Sequence, residues 1–430
     1  MLPITISKKY IQNIGWLLFD YGLRMVGGYF VMIWLARFLG PATFGVLSYA
    51  LANAAIVTAI GVAGLHGVAI KFLVENKDQH NETAGTIFYI RLIASIICYV
   101  VLAAFLYVEY NSFPPKVLLS LLIGLKVVLT PITVIELYFD AIVQSKYRVI
   151  ARNIGYGIRS VLIIFFILLE WPLILLGFIF FFEEVFGVIG LLFFYKHKAK
   201  EKLNKWKFKK DLAKELMSEA WPMVISSAGA ILYVKIDQIM IVEMLDDIQG
   251  GYYGVAVKIS ELFSFIPGLL VGTFFPAIIE SKKVDIKGYK LKMQKLILLM
   301  MLIAGFLGLG IYLFANQIVY YSFGEEFLPA VSIVRIHIWT LVLSFLAIVL
   351  SRWLIVEKLT KFSLLRHLLG VIANVGLNFL LIPTMGGEGA AIASIISLFC
   401  AVILFAVFDK KTFEFLRLLF SSFFVFRFLK

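Results

Sequence analysis

Long apolar runs without charge constrain this chain more than any other feature. Residues 38–70, 296–324 and 389–408 contain no Asp, Glu, Lys or Arg, and each run is long enough to cross a bilayer core as an α-helix. The mean hydropathy is +0.95 and 61% of the residues are hydrophobic, unlike a soluble domain. These runs lack the period-two alternation of membrane β-barrel strands. The sequence therefore predicts an all-α integral membrane protein.

Hydropathy also predicts how the helices are grouped. A basic stretch, KHKAKEKLNKWKFKKDLAK, separates six apolar spans from six. We expect an N-terminal six-helix bundle over 1–195, a basic cytoplasmic linker over 196–218, a C-terminal six-helix bundle over 219–408 and a tail over 409–430. In the tail, the longest uncharged run is too short to span a bilayer, so we expect a short interfacial helix there. The predicted spans are 12–36, 43–64, 85–108, 117–139, 149–169, 171–195, 219–242, 252–277, 294–316, 331–351, 362–382 and 387–408.

The positive charge of the chain is distributed unevenly between its connections. Of 40 Lys and Arg residues, 30 lie in the termini and the alternate loops that include the linker, when Arg152 and Lys295 at the loop edges are counted with them. The other connections contain only Arg37 and Lys116. Short loops rich in Lys and Arg stay in the cytoplasm. The net charge of +13 therefore predicts cytoplasmic termini and contact with anionic membrane lipids, and it does not require nucleic acid as a partner.

The two halves of the sequence resemble each other weakly. When the chain is shifted by 206 residues, LARFLGPATFGVLSYAL (35–51) lies over IVEMLDDIQGGYYGVAV (241–257), and Gly45 coincides with Gly251. Both stretches contain a span end, a tight glycine-containing turn and the start of the next span. With six spans in each half, such repeats have the same orientation. Parallel repeats of this kind place a substrate path between the two halves.

Four charged residues lie inside the seventh and eighth spans. Lys235 and Asp237 are about 200° apart on their helix and cannot satisfy each other. Lys258 and Glu261 in the next span offer partners, so we expect pairs between Asp237 and Lys258 and between Lys235 and Glu261. These residues either form a structural charge network or, for the two lysines, contact an anionic substrate.

The first half carries charges near the middle of its spans. Asp20 and Arg24 are four residues apart on the first span, and Lys126 lies in the fourth, so Arg24 and Lys126 are candidate cations lining a cavity. Glu183 and Glu184 lie in the sixth span, about 100° apart, and are expected either to pair with Arg24 or Lys126 or to couple transport to H⁺ or Na⁺. Charges near the span ends are interpreted as interfacial or gate pairs: Arg91, Glu136, Asp140, Arg159 and Arg366.

Motifs of nucleotide hydrolysis and metal catalysis are missing from the sequence. It contains no GxxxxGK[ST], HExxH, CxxC or GxSxG pattern, and its five His residues show no metal-ligand spacing. The sequence therefore predicts a protein that is not an enzyme and that needs no cofactor.

Three stretches carry a resemblance to a known family. WLARFLGPATFGVLSYALA (34–52), KIDQIMI with YYGVAVKISELFSFIP (235–267) and NFLLIPTMGGEGAAIAS (378–394) resemble Wzx-type O-antigen flippases. These are polysaccharide repeat-unit transporters of the multidrug/oligosaccharidyl-lipid/polysaccharide exporter superfamily. The resemblance implies twelve spans in two bundles around a V-shaped path in the bacterial inner membrane. It also implies alternating access and flipping of an undecaprenyl-diphosphate-linked oligosaccharide, with polysaccharide polymerase machinery as a further partner.

The resemblance gives the intramembrane cations a role. Arg24, Lys126, Lys235 and Lys258 match the charges expected to bind a diphosphate headgroup, because guanidinium and ammonium groups bind phosphate oxygens. Two alternatives remain open at this point. A drug or cation antiporter of the same superfamily would have an acidic cavity, and an integral-membrane glycan polymerase or glycosyltransferase would have a catalytic carboxylate at an aqueous face.

Overall fold

Helices make up nearly the whole of the described chain. The computed structural model describes residues 8–62, 64–76, 79–199 and 202–424, and these ranges contain no β-strand. A 3₁₀ stretch, Leu125–Thr133, and a π-helical stretch, Cys400–Leu404, interrupt the α-helices. The all-α prediction is confirmed. The helices are α1 (Lys8–Gly61), α2 (His66–Glu75), α3 (His80–Tyr110), α4 (Pro115–Gly124), α5 (Val134–Ala141), α6 (Lys146–Leu168), α7 (Ile174–Lys198), α8 (Lys210–Met244), α9 (Asp247–Glu261), α10 (Phe265–Val284), α11 (Ile286–Phe323), α12 (Ala330–His337), α13 (Thr340–Val356), α14 (Lys361–Phe399), α15 (Phe405–Val407) and α16 (Lys410–Ser422).

The length and composition of the helices suit a bilayer. Within the described residues, 10 helical runs are long and apolar enough to cross a membrane. The protein is therefore a multi-pass membrane protein. The number of its spans and the location of its termini stay predictions.

Two of the longest helices are broken by a glycine. Gly40 in α1 has φ 68° and Gly386 in α14 has φ 58°, a backbone conformation that favours glycine. Pro41 follows Gly40 directly, and a residue before proline avoids the α-helical conformation. The stretches GPAT and PTMGGE, which the sequence predicts as tight turns, are therefore the points at which α1 and α14 change direction.

The chain divides into two compact units. Unit 1 consists of Met1–Phe38 and Val46–Ile231, and unit 2 consists of Leu39–Gly45 and Leu232–Lys430. In unit 1, α2 and α3 form a core with the first turns of α8, through residues such as Phe72, Leu216 and Ala220. In unit 2, α11 and α13 form the main core with α16. Each unit therefore has an apolar interior of its own.

The described part of the predicted linker, 196–199 and 202–218, is folded onto unit 1. The Trp206 indole Nε1 donates to the Tyr195 hydroxyl at 3.1 Å, and the Lys207 amide donates to the Asn81 carbonyl at 3.3 Å. The Lys209 ammonium pairs with Glu82 at 2.9 Å. The basic stretch is therefore an ordered part of unit 1 and not a free tether.

The tail contains the short helix that the sequence predicts. Helix α16 buries Phe415, whose ring centroid lies 5.5 Å from that of Trp353 on α13. Its opposite side exposes Phe420. This two-sided pattern suits a helix at a membrane surface, which stays a prediction. Residues 425–430 of the tail lie outside the described residues.

Candidate functional site

Three arginines form a basic stripe along one face of α6. Arg148, Arg152 and Arg159 follow the spacing i, i+4 and i+11, which returns to the same side of an α-helix. Every guanidinium of this stripe binds at least one carboxylate of a neighbouring helix. The pairs are Arg148 with Asp140 at 2.8 Å, Arg159 with Glu183 at 2.8 Å, and Arg152 with both Glu136 and Glu184.

Arg152 lies at the centre of this network. Its Nη1 donates to Glu184 Oε1 at 2.7 Å and its Nε donates to Glu136 Oε1. Helices α6 and α7 approach closely because Gly155 has no side chain, and a Cβ there would overlap the main-chain oxygen of Glu183. The close packing lets one guanidinium donate hydrogen bonds from two of its nitrogens to two carboxylates. These charge-assisted hydrogen bonds offset the cost of removing the charges from water.

The stripe corrects one prediction and confirms another. The prediction that Glu183 and Glu184 pair with Arg24 or Lys126 is wrong, because both bind arginines of α6. The prediction that these adjacent carboxylates face different partners is confirmed. Consecutive helical residues point about 100° apart, so each glutamate contacts a different turn of α6.

The Asp20–Arg24 pair of α1 lies in a larger cavity of unit 1. Arg24 Nε binds Asp20 Oδ1 at 2.8 Å, and Asn153 Nδ2 donates to the same oxygen at 2.8 Å. The cavity has a volume of about 580 Å³ and its lining includes four carboxylates and three guanidiniums. It is therefore charged and nearly balanced, and not cationic as the sequence suggests. Its lining comprises Asp20, Tyr21, Arg24, Met25, Glu136, Arg148, Arg152, Glu183 and Glu184.

A smaller cavity lies against the same triad of Glu136, Arg152 and Glu184. Its volume is about 260 Å³, and Lys126 and Arg91 line it. Lys126 belongs to the 3₁₀ stretch, which replaces α-helical turns within the predicted fourth span. Two guanidiniums and one ammonium face two carboxylates here, so the smaller cavity has an excess of positive charge.

Unit 2 holds the lysines predicted from the second half. Lys235 binds Glu261, as expected, and the Lys258 ammonium lies 3.6 Å from the other oxygen of the same carboxylate. Two lysines therefore share one glutamate. The predicted pair between Asp237 and Lys258 is wrong, because the hydrogen bonds of Asp237 go to neutral groups instead.

Asp237 is the most completely buried carboxylate of this cluster, with 1% of its surface exposed. Asn378 Nδ2 donates to its Oδ1 at 2.6 Å, and the Tyr253 hydroxyl donates to its Oδ2 at 2.7 Å. The Ser394 hydroxyl donates to the same Oδ2. Within the described residues no cation is among its hydrogen-bond partners, so its charge has to be compensated in another way.

The site does not match that of a multi-ligand metal centre. Across the described ranges, no group of three or more His, Cys, Asp and Glu residues is placed to hold a metal ion. Asp237 provides one carboxylate with hydroxyl and amide oxygens around it. Such a set suits a proton or a monovalent cation better than a divalent ion, which takes several carboxylates.

Comparison with known protein families decides what kind of chain this is. A family model described as polysaccharide biosynthesis protein matches residues 10–282. The chain belongs to this family. No curated protein sequence matches this chain closely enough to count as a relative.

Solved structures show which fold the chain has. It is similar to lipid II flippase MurJ in an inward closed conformation, with a TM-score of 0.71, 14% identity and coverage of 97% of this chain and 92% of that one. It is also similar to an inward-facing multidrug resistance MATE family transporter of the MOP superfamily, with a TM-score of 0.70, 16% identity and coverage of 95% and 96%. A MOP superfamily transporter from Pyrococcus furiosus gives 0.60 at 14% identity, covering 96% of both chains. The protein therefore has the fold shared by these transporters.

Sequence reasoning alone misses the role of several charged residues in this network. The sequence analysis interprets Glu136 and Arg159 as interfacial or gate charges, yet both belong to the network of unit 1 together with Arg148 and Arg152. Their helical spacing was the available signal. Arginines that share one face of an otherwise apolar helix indicate a partner with several carboxylates.

Proposed function

We propose that the protein is a flippase. In this proposal it moves undecaprenyl-diphosphate-linked oligosaccharide units, such as O-antigen units of lipopolysaccharide, from the inner to the outer leaflet of the bacterial inner membrane by alternating access. Family membership supports a role in polysaccharide synthesis. The fold, shared with a protein named as a lipid II flippase, supports transport of a lipid-linked substrate. The protein needs no cofactor or catalytic residue for this task, and polymerase machinery would use its product.

The observation that carries this proposal is the charged cavity lined by helices of unit 1, most of which are long enough to span a membrane. A volume of about 580 Å³ falls in the usual range of ligand sites. Its carboxylates can accept hydrogen bonds from sugar hydroxyls. Arg24, about one-third exposed, can exchange the oxygen of Asp20 for a phosphate oxygen. The cavity would thus replace the hydrogen bonds that a polar headgroup makes with water, while the polyprenyl chain stays in lipid.

Depletion of the protein tests the proposal directly. In a strain without a paralogue, we expect loss of surface polysaccharide and accumulation of lipid-linked units at the cytoplasmic leaflet. Intact surface polymer after depletion would contradict the flippase function. The readout is sugar-specific labelling of the cell surface together with mass spectrometry of extracted lipids.

Complementation of the same strain tests the role of Arg24. We expect Arg24→Ala to restore less surface polymer than the wild type at an equal amount of membrane protein, since the headgroup loses a cation. Arg417→Ala is the matched control, because Arg417 lies on the tail helix with a side chain 70% exposed. Full restoration by Arg24→Ala would assign Arg24 a purely structural role.

We also place the coupling ion at Asp237. Glu183 and Glu184, the other candidates, are already compensated by arginines, whereas Asp237 has only neutral donors around it in the described chain. A proton or Na⁺ bound there would supply the missing positive charge. In proteoliposomes, we expect Asp237→Asn to abolish the stimulation of flipping by an Na⁺ or H⁺ gradient. Asp409→Asn, which keeps a helix cap, is the control, and unchanged stimulation in Asp237→Asn would rule out this site.

A second candidate function, a drug or cation antiporter, has one observation in its favour. The larger cavity contains more carboxylates than guanidiniums, which suits an organic cation. Uptake assays with labelled organic cations separate the two functions. Gradient-driven cation export by purified protein, without an effect of depletion on surface polymer, would favour the antiporter. In the described residues nothing favours the glycan polymerase or glycosyltransferase alternative.

A further inference from the structure

Arg91 is a buried arginine that lacks a carboxylate partner. Only 1% of its surface is exposed, and its Nη1 donates to Thr133 Oγ1 at 2.9 Å. Its Nε and Nη2 have no hydrogen-bond partner in the described chain. A buried guanidinium with unused donors is costly, because it has lost its water without a full replacement.

Arg91 also lies in the wall of a cavity. Arg91 lines the smaller cavity of unit 1 together with Lys126 and the 3₁₀ residues Thr130 and Thr133. The two threonines lie three residues apart, one turn of a 3₁₀ helix, so they share a side. Each threonine hydroxyl donates its proton to a main-chain carbonyl of the same stretch. Thr133 therefore holds Nη1 of Arg91, and the other two guanidinium nitrogens have no partner in the described chain.

The carboxylates of this cavity are already occupied. Glu136 and Glu184 both bind Arg152. Neither Arg91 nor Lys126 forms an ion pair within the described residues. Two positive side chains thus face one cavity without a directly bound anion from the chain.

We propose that the smaller cavity is a binding site for a single phosphate group, held by Arg91 and Lys126. The planar guanidinium offers two parallel N–H donors that match two phosphate oxygens, and the ammonium adds a point charge. The volume of about 260 Å³ lies below the range typical of larger ligands, which suits a phosphate and not a sugar chain or a drug. The phosphate could belong to the diphosphate of the substrate, to a membrane lipid or to a free anion.

The first of these sources rests on the proposed function and the other two do not. If the protein is a flippase, the smaller cavity provides a cationic subsite next to the larger cavity, since Glu136, Arg152 and Glu184 line both. The phosphate would then bind in the smaller cavity while the sugars occupy the larger one. In this arrangement Arg91 is a substrate-binding residue that contacts the phosphate.

Anion binding to the purified full-length protein tests the inference. The protein is placed in nanodiscs of neutral phosphatidylcholine and titrated with inorganic phosphate or pyrophosphate. Further nanodiscs contain phosphatidylglycerol or sugar-free polyprenyl diphosphate. We expect Arg91→Met to weaken binding of at least one probe by about tenfold or more, the loss typical of a charge-assisted hydrogen bond. The probe that binds most tightly identifies the source of the phosphate.

Arg366→Met is the matched control. Arg366 is 3% exposed and donates one hydrogen bond, to Ser351 at 2.7 Å, and two of its nitrogens are also unpartnered in the described chain, yet it does not line this cavity. We expect its replacement to leave anion affinity unchanged. Lys126→Gln is a second variant in case Arg91→Met does not fold, and it too should weaken binding.

Two results would overturn the inference. One is equal affinity in wild type, Arg91→Met and Lys126→Gln for every probe. The other is a loss of affinity in Arg366→Met as large as in Arg91→Met. Neither result depends on the depletion experiment, so intact surface polymer with Arg91-dependent anion binding would remove the flippase function alone.

Discussion

Arg152 holds two carboxylates of unit 1 at once, and the fold depends on it for that reason. We expect Arg152→Met to lower the free energy of unfolding by about 3 kcal/mol, because Glu136 and Glu184 would stay partly buried without a directly bound cation. Arg148→Met should cost less, since its partner Asp140 also accepts a hydrogen bond from Ser145. Thermal or denaturant unfolding in detergent measures both changes.

A rescue experiment separates charge from packing at the same position. Adding Glu136→Gln and Glu184→Gln to Arg152→Met removes the two unpaired charges, so we expect part of the lost stability to return. If the triple variant is no more stable than Arg152→Met alone, the loss comes from packing around the side chain and not from electrostatics.

Single residues also show which part of the site could be predicted from sequence. The pair of Lys235 and Glu261 was predicted because consecutive helices usually pack together. The partners of Asp237 were not, because Asn378 and Ser394 lie 141 and 157 residues away in sequence and are neutral. Opposite charges in a sequence indicate possible ion pairs, but they do not indicate which amides and hydroxyls donate hydrogen bonds to a buried carboxylate.

At the scale of elements, the turn of α1 touches the start of α9 without any side chain between them. Inside unit 2, a Cβ at Gly251 would overlap the main-chain oxygen of Pro41. We therefore expect Gly251→Ala to cost about 1–3 kcal/mol of stability. Gly305→Ala in α11 is the control, since nothing lies within 4 Å of a Cβ there and alanine favours the helix. Thermal unfolding of the two variants should shift in opposite directions.

Helix α16 offers two phenylalanines, one buried and one exposed, whose replacements can be compared on the same helix. Phe415 is fully buried and Phe420 is 60% exposed. We expect Phe415→Ala to cost about 3–5 kcal/mol, whereas Phe420→Ala should leave folding intact and reduce binding of the tail to lipid. Unfolding curves and fluorescence quenching by brominated lipids report the two effects. Equal loss of stability in both variants would mean that the exposed side of α16 is also packed.

The bends of α1 and α14 at glycine are easier to predict from the sequence than the 3₁₀ stretch that follows α4. Glycine next to proline or next to a second glycine indicated the bends at Gly40 and Gly386. The 3₁₀ stretch Leu125–Thr133 has no such signal apart from Pro131. Its geometry depends on tertiary packing, which overrides local preference.

At the scale of the whole molecule, the distribution of lysine predicts the orientation in the membrane. In a variant with Cys98 and Cys400 replaced by Ser, we expect Asn204→Cys to react with an impermeant maleimide only when the cytoplasmic side is exposed. Glu325→Cys should react from the outside. Both positions are exposed in the structure. Labelling of both from the same side would contradict the predicted topology.

The contact between the α1 turn and α9 consists of two parts that correspond to each other in the internal repeat. A Cβ at Gly45 would overlap the carbonyl of Asp247, and a Cβ at Gly251 would overlap the carbonyl of Pro41. Under the 206-residue shift, Gly45 corresponds to Gly251 and Pro41 corresponds to Asp247, so the two contacts are equivalent. Such reciprocity is the geometry of a two-fold interface between identical subunits. If the two halves of the chain arose by gene duplication, one ancestral glycine would have formed both close contacts. In the present chain each glycine forms one of them, so a bulky substitution at either position disrupts a contact that the other glycine cannot replace.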